Sequence, residues 1–337
     1  MQTSDSSMTV MVTGSAGFIG SHLVELLLRE TNWQIVGLDS FRQAGDSSRV
    51  SSLALRSGRY CIYTCDLSTP ISRTLRRQIG DVDVILNLAS NSSVDDSLRE
   101  PDSLIRNNIG IALAVLEFAR KIQPRLVLQM STDEVYGPAP HGVNFVEWSS
   151  ILPSNPYAAS KAAQEAIAFS YWRSYNVPVM LVNSTNVIGE GQDVEKFVPL
   201  VISSVLNGRE VQIHCANGEP GARVYVHVSD CVRAIRQLVD YYLSGDLKGH
   251  PNALPPRFNV SGRREVDNLE MAQAIADILG AELSYHAVDV LGSRPGHDLR
   301  YALDFSKITS LGWTPLVPFE EALEQTVRWY VSNPDRL

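Results

Sequence analysis

The sequence predicts an α/β protein: a doubly wound parallel sheet with a smaller α/β part toward the carboxyl terminus. Three observations carry that expectation. Short apolar runs alternate with helix-period segments through the first half of the chain, the rhythm of strands joined by crossover helices. Spaced glycines join the first such run to the first helix-period segment. Several runs end in small, hydroxyl-bearing or acidic residues, and in open α/β sheets ligands bind at the carboxyl ends of strands.

In chain order, Thr9 to Thr13 reads as a buried strand and Phe18 to Arg29 as a helix, with Phe18, Ile19, Leu23, Leu26 and Leu27 at helical spacing. Between them stand Gly14, Gly17 and Gly20. A glycine turn from strand to helix lets backbone N–H groups approach a pyrophosphate at the positive helix end, because no Cβ intervenes. Phe18 and Ile19 open that helix and join the glycines as cofactor contacts. Gln34 to Leu38 supplies a second strand ending in Asp39. An acid there accepts hydrogen bonds from the adenosine ribose and repels a 2′-phosphate, favouring NAD as the cofactor. Arg42 nearby keeps NADP open as a minor option. This makes the first part a Rossmann-type NAD-binding domain.

The alternation continues with strand Tyr60 to Thr64, a helix near Ser72 to Gln78, strand Val82 to Asn87, a long helix near Ser103 to Ile122, and strand Arg125 to Met130. Asp66 and Leu67 end the third strand as cofactor candidates, the Asp66 carboxyl meeting either an adenine amino group or the N-terminus of the next segment. Leu88, Ala89 and Ser90 end the fourth strand with residues that let a cofactor lie close to the backbone. Within the long helix, Asn107 or Asn108 either braces the active-site backbone or faces solvent.

The fifth strand leads into Ser131-Thr132-Asp133-Glu134-Val135-Tyr136-Gly137, and the chemistry is expected here. Asn155-Pro156-Tyr157 then opens a helix with proline near its first turn. Tyr157 and Lys161, four residues apart, share one face. An ammonium near a phenol stabilises the phenolate and lowers its pKa from about 10 toward working pH. Such a tyrosine can take a proton from a sugar hydroxyl as hydride departs.

Beyond strand Val179 to Asn183 the rhythm loosens. Helices are expected at Lys196 to Leu206, Asp230 to Leu243, Leu269 to Leu279 and Phe319 to Trp329, and short strands at Glu210 to Ile213, Val224 to His227 and Phe258 to Val260. Gly249 to Pro256 reads as a surface loop. The expected division is a domain over 8–185 carrying the catalytic residues and a smaller substrate-binding domain over 186–337, with some exchange of chain between them.

The composition is that of an ordinary soluble enzyme, and 337 residues suffice for a core without disulfide staples. A net charge of -8 argues against nucleic acid or an anionic membrane as partner. Cys61, Cys65, Cys215 and Cys231 lack the paired spacing of a zinc site, so no metal is expected and the thiols read as inert. No run reaches the roughly 18 apolar residues of a membrane helix, and Met1 to Ser7 reads as a loose tail without signal-peptide features. The cytoplasm is the expected setting.

With these residues in hand, the chain resembles the extended short-chain dehydrogenase/reductases and, within them, the nucleotide-sugar 4,6-dehydratases, over nearly its full length. The superfamily marks are the glycine turn and Tyr157-x-x-x-Lys161. More discriminating is Asp133-Glu134, which sister epimerases and decarboxylases usually lack. Arg294-Pro295-Gly296-His297-Asp298, Arg300-Tyr301 and Leu311-Gly312-Trp313 match the dehydratase carboxyl-terminal pattern.

The resemblance implies that Tyr157, assisted by Lys161 and by Ser131 or Thr132, removes the 4-hydroxyl proton of an NDP-hexose, dTDP-glucose or similar, while hydride passes to NAD. Glu134 then acts as base at carbon 5, and Asp133 as acid protonates the departing 6-hydroxyl. Arg223 and Arg294 match diphosphate-holding positions, with Asn186, Lys196, Asn259 and His297 as further substrate-side candidates; His297 and His227 also read as structural or rim residues. A homodimer through the two long helices is implied. An epimerase, a decarboxylase or a catalytically retired binding protein are the alternatives.

The departures from the family pattern fall in the substrate pocket. After the fourth strand the usual Ala-Ala-Glu-Ser-His-Val-Asp-Arg-Ser is replaced by Ala89 to Ser97, with Asn91, Ser93 and Asp96 at the positions of the glutamate, histidine and arginine. Asn-Asn-Tyr-Gly-Pro becomes Asn186-Val187-Ile188-Gly189-Glu190, and Arg-Asp-Trp becomes Arg223-Val224-Tyr225. The nucleotide base and the sugar are left open by these changes.

Overall fold

The computed structural model describes residues 8–42, 45–245, 254–289, 296 and 298–337. The chain divides into two compact units, each discontinuous in sequence. The first comprises the described residues of Met1–Thr132, Pro156–Asn183 and Val232–Phe258, and the second those of Asp133–Asn155, Ser184–Cys231 and Asn259–Leu337.

The first unit is organised around strands β1 (Thr9–Thr13), β2 (Gln34–Asp39), β3 (Tyr60–Thr64), β4 (Val84–Asn87), β5 (Leu126–Thr132) and β6 (Val179–Ser184). In the seven-stranded sheet their order is β6-β5-β4-β1-β2-β3, with Arg257–Val260 outside β6. Pairing is parallel from β3 to β5, with Val10 opposite both Ile35 and Val84. Because β1 has β2 on one side and β4 on the other, the winding reverses there. That is where an open α/β sheet leaves a crevice.

Every residue of β4, β5 and β6 is buried, which is why these strands read as continuous apolar runs without alternation. Met11, Val36, Ile85 and Val127 pack with Val115, Phe118 and Ala119 of the long helix Pro101–Ile122 in one core cluster. The helix Pro156–Tyr175 starts on its proline, whose missing N–H costs nothing at that position.

The second unit holds two three-stranded sheets. One orders Glu265–Asp267, Ala222–His227 and Asn186–Ile188; the other orders Tyr285–Asp289, Val211–Ala216 and Glu219–Pro220. Helices Phe197–Leu206, Asn268–Leu279 and Phe319–Ser332 share a core with them, built on Val201, Ile202, Ile213, Met271, Ile275 and Val327.

Four local differences from the sequence expectations matter. The fifth strand runs on through Ser131 and Thr132, so these hydroxyls belong to the strand. Short helices at Ser52–Arg56 and Val94–Arg99 were not expected, since neither spans enough turns to show a helical period. The three-residue strands Asn186–Ile188 and Glu265–Asp267 are too short for alternation to register. Tyr285–Asp289 was missed because it is largely exposed and carries little apolar signal. The loop expected at Gly249 to Pro256 lies outside the described residues as far as residue 253.

Candidate functional site

In the first unit the glycine turn sits at the reversal of the sheet. Gly14 adopts φ +66, and a Cβ there would come within 3.0 Å of the Ala89 backbone. Its N–H donates to Leu38 O at 2.8 Å. Gly17 is the N-cap of helix Phe18–Glu30. A Cβ on Gly20 would lie 2.0 Å from Gly14 O, so the turn closes only with glycine. Phe18 and Ile19 stand in the first turn of that helix. Thr13 Oγ1 accepts from the N–H groups of Leu88 and Ala89, each at 3.1 Å, and donates to Asn87 Oδ1 at 2.6 Å. This ties the ends of β1 and β4 together, a role that reading the sequence missed. Ser90 follows, half-buried, its hydroxyl donating to Asn91 O.

Asp39 is buried, and both carboxylate oxygens accept backbone hydrogen bonds, from Ala16 N and Phe41 N at 2.9 Å each. The second-strand acid is therefore fixed beside the glycine turn. Asp66 accepts from Ser68 N and Ser68 Oγ at 3.0 and 2.7 Å and pairs with Arg42 at 2.7 Å. The Ser68 hydrogen bonds, more than Arg42, hold its carboxyl below the usual range. Of the two roles open to Asp66, closing the following turn is the one its side chain performs here. Leu67 beside it is buried.

Tyr157 and Lys161 are both buried on one face of helix Pro156–Tyr175. Lys161 Nζ donates to Met130 O at 2.8 Å. Burial pulls its pKa down to about 8, with the Glu165 charge opposing. Ser160 Oγ donates to Tyr157 O at 2.7 Å and accepts from Asn108 Nδ2 at 2.9 Å. Asn108 also bonds both the N–H and the carbonyl of Asn91, at 2.8 and 3.0 Å. It is the brace, while Asn107 donates to it. Thr132 is buried at the strand end; Ser131 Oγ is buried with no hydrogen-bond partner among the described residues. A buried polar group left open at a strand end suits a ligand.

The same unit holds a cluster that the sequence did not advertise. Arg257 Nη2 pairs with Glu165 Oε2 at 2.7 Å, and Asn183 bridges them, accepting from Arg257 Nε at 3.0 Å and donating to Glu165 Oε1 at 2.7 Å. Asn183 also donates to Thr132 O at 3.0 Å. The available signal was Glu165, one helical turn beyond Lys161. Arg257, just ahead of an apolar strand, looks like any solvated rim residue.

In the second unit Asp133 and Glu134 open a 3₁₀ turn, Asp133–Tyr136. Asp133 is buried and Glu134 half-buried. Glu134 Oε2 accepts from Asn155 Nδ2 at 3.0 Å and from the Tyr301 hydroxyl at 3.4 Å. Loss of solvent raises its pKa; Asn155, Arg223 and Lys196 oppose and Asp298 adds. A carboxylate so placed is a better base than one in water.

The substrate-side candidates separate. Asn186 is exposed at the start of its strand, and Lys196 is half-buried at the N-cap of helix Phe197–Leu206. Arg223 is buried, donating to the carbonyls of Ala222, Asp298 and Leu299 at 2.7 to 2.8 Å and stacking over the Tyr301 ring at 4.5 Å. In this state it is a brace for the Asp298–Tyr301 segment. Asn259 is wholly buried. Its amide donates to Phe145 O and Asp304 O at 2.9 and 3.0 Å and accepts from Tyr136 Oη at 3.1 Å, which makes it a tie between segments. Arg294 and His297 lie outside the described residues. His227 is buried, its Nδ1 2.7 Å from Ser229 Oγ and its Nε2 3.5 Å from Glu190.

The altered segment after β4 is explained locally. Ser93 caps helix Val94–Arg99 by accepting from Asp96 N at 3.1 Å, Asn91 Oδ1 accepts from Ser93 N at 3.0 Å, and Asp96 pairs with Arg99. These residue types build a capped helix. Of the cysteines, Cys61 is exposed and Cys65, Cys215 and Cys231 have thiols raised by burial, Cys231 to about 12.

A glycine turn at the sheet reversal, an acid closing the second strand, and a buried tyrosine and lysine on the helix after the fifth strand define a dinucleotide-dependent enzyme of the short-chain dehydrogenase/reductase class. Comparison with known proteins narrows this. The family described as GDP-mannose 4,6 dehydratase matches residues 11–326. The dTDP-glucose 4,6-dehydratase of Salmonella typhimurium is 33% identical over 97% of this chain and 93% of its own length, and that of Streptomyces niveus 35% identical over 97% and 94%. Among solved structures, a dTDP-glucose 4,6-dehydratase from Streptomyces venezuelae with NAD bound matches at TM-score 0.86 and 32% identity, over 97% of this chain and 98% of that one. The UDP-glucose 4-epimerase of Thermus thermophilus matches at 0.83 and 28% identity, over 96% and 99%. The chain belongs to the GDP-mannose 4,6 dehydratase family, within the short-chain dehydrogenase/reductases.

Proposed function

We propose that the chain is an NAD-dependent hydro-lyase that converts a nucleoside-diphosphate hexose, dTDP-glucose or a close analogue, to the 4-keto-6-deoxy sugar with loss of water. The observation that carries this reading is Glu134, a desolvated carboxylate held by Asn155 and Tyr301, next to a buried Asp133. A reaction without water loss has no use for that pair.

The cradle fits NAD: no side chain larger than hydrogen is accommodated at Gly14 or Gly20, and Asp39 is fixed beside them. Gly14, Gly17, Gly20, Phe18 and Ile19 would hold its pyrophosphate and Asp39 its ribose, with Asp66, Leu67, Leu88, Ala89 and Ser90 along its length. When bound, NAD supplies acceptance of a hydride from carbon 4 and its return to carbon 6. Tyr157, its phenolate favoured by Lys161 and its partner hydroxyls Ser131 and Thr132, takes the 4-hydroxyl proton. The ketone so formed acidifies carbon 5, from which Glu134 removes the proton while Asp133 protonates the departing 6-hydroxyl. Glu134 then returns a proton to carbon 5. Each turnover thus leaves Tyr157 one proton richer and Asp133 one poorer, and exchange with solvent resets both.

Asn186, Lys196 and Arg294 are proposed as substrate contacts, with Arg223 supporting. The first unit is the NAD-binding part and the second the nucleotide-sugar-binding part. A homodimer through helices Pro101–Ile122 and Pro156–Tyr175 is the expected assembly, and exposed Leu113 and Tyr175 on these helices support it. The cytoplasm is the proposed setting, in keeping with four free thiols; no helix among the described residues is long and apolar enough to cross a membrane. The test is incubation with dTDP-glucose and UDP-glucose. A product lighter by one water with a 4-keto absorbance in alkali is expected; an isomer of unchanged mass would favour an epimerase instead.

A further inference from the structure

We infer that Tyr301 is a positioning residue for Glu134, its hydroxyl sharing one carboxylate oxygen with the Asn155 amide and holding the base ionised and aimed. The inference rests on the dehydratase reading above, in which Glu134 removes the carbon-5 proton.

Tyr301 is a built feature. Its ring is buried and lies under the Arg223 guanidinium at 4.5 Å. Arg223 in turn grips the chain just before it, through the carbonyls of Asp298 and Leu299 at 2.7 and 2.8 Å. The preceding residue, Arg300, forks onto Glu265 at 2.7 and 2.8 Å and donates to the carbonyls of Pro140 and Val143 at 2.8 and 2.7 Å. Backbone N–H groups of Ala139 and Phe145 donate to the carbonyls of Arg300 and Ala302 at 3.0 and 2.9 Å. The phenol therefore has little freedom, and its hydroxyl reaches Glu134 Oε2 at 3.4 Å. Asn155 Nδ2 and Tyr301 Oη meet that same oxygen.

A donor to a carboxylate stabilises its charged form and so opposes the desolvation that raises Glu134. The groups that face Glu134 are Asn155 and Tyr301 as donors, Arg223 and Lys196 as cations and Asp298 as a second anion. Burial first, then the Glu134 charge, with the Asp298 carboxylate as a further acceptor for the hydroxyl and Arg223 opposing, keeps the Tyr301 phenol well above its ordinary pKa, so it remains a donor at working pH. Groups that lock a catalytic side chain in this way set how often it stands in its reactive geometry.

The test is Tyr301→Phe in the full-length enzyme loaded with NAD, mixed with dTDP-glucose in deuterated buffer across a pH series. Phenylalanine keeps the ring under Arg223 and removes only the hydroxyl. Appearance of reduced cofactor is expected within about twofold of wild type. Deuterium incorporation at carbon 5 and water loss are expected to fall about 10- to 100-fold, the scale of a hydrogen bond to a charged group, and their acid limb to move up by about one pH unit. Tyr301→3-fluorotyrosine, nearly isosteric and a stronger donor, is expected to move that limb down; it serves where the phenylalanine variant does not fold. An acid limb unmoved in both variants, or equal slowing of cofactor reduction and carbon-5 exchange, overturns the inference. Failure of the functional reading shows separately: wild-type enzyme would then release no water from any hexose nucleotide, and the inference falls with it.

Discussion

Arg257 and Glu165 form an ion pair at 2.7 Å from which solvent is excluded on both sides, closed by Asn183, which also holds the carbonyl of Thr132. The cluster lies where the fifth and sixth strands end, one helical turn beyond Lys161. It fixes the backbone at Thr132, at the end of the fifth strand, and the Glu165 charge supports the lysine's proton.

Breaking the pair from one side leaves a charge buried without its counterion. Arg257→Leu is expected to destabilise the protein by about 3–5 kcal/mol, whereas Arg257→Leu with Glu165→Leu recovers most of the loss, because two apolar side chains leave no stranded charge. Denaturant unfolding of the single and double variants checks this. A double variant no more stable than the single would contradict it.

Lys161 is expected to set the alkaline side of the oxidation. With its pKa drawn down to about 8, the lysine loses its proton as pH rises through that value, and with it the stabilisation of the Tyr157 phenolate. The single-turnover rate of cofactor reduction is expected to fall above about pH 8. Stability has the opposite sign. The folded pKa lies below the unfolded value of about 10.4, so between the two the unfolded chain binds more protons and Lys161 contributes more favourably as pH rises. Wild type should therefore gain stability relative to Lys161→Met between about pH 8 and 10. Paired unfolding curves across that range provide the measurement, and a constant difference would count against it.

Gly20→Ala places a methyl group 2.0 Å from Gly14 O, which forces the turn open. NAD affinity is expected to drop at least about tenfold, since backbone approach to the pyrophosphate is what the glycines supply. Gly58→Ala is the control: that position is left-handed at φ +65, unlike the helical Gly20, but meets nothing within 4 Å, so a strain of about 1–2 kcal/mol should leave NAD binding unchanged. Fluorescence titration distinguishes the two.

Glu134→Gln preserves shape and removes basicity. Reduced cofactor is expected to appear and persist, while water loss stops. In wild type, because desolvation raises the Glu134 pKa, elimination should fail on the acid side at a pH above the ordinary carboxylate range of about 4.3. Stopped-flow absorbance with product mass checks both; undiminished turnover in the variant would remove Glu134 from its role.

Much of this was legible in the chain itself. Strands such as Thr9–Thr13 and Val179–Ser184, and the glycine turn, announce themselves because burial on both faces gives continuous apolar runs and because close backbone approach admits only glycine. Lys161 and Tyr157 are visible through a single helical spacing. The ties made by Asn183, Arg257, Asn155 and Tyr301 were not legible, since each joins residues far apart in sequence and each residue type alone is ordinary. Nor were the ties that Asn259 and Arg223 make to backbone carbonyls of distant segments. The strand edge at Asn186–Ile188 is three residues long and leaves no periodic trace.

The hydride removed from carbon 4 is expected to return to carbon 6 in an internal redox reaction, and dTDP-glucose carrying deuterium at carbon 4 shows whether it does. The expected result is a 4-keto-6-deoxy product with that deuterium at carbon 6 and a solvent hydrogen at carbon 5; deuterium retained at carbon 4 of an isomer, or lost to solvent, would contradict an internal hydride return.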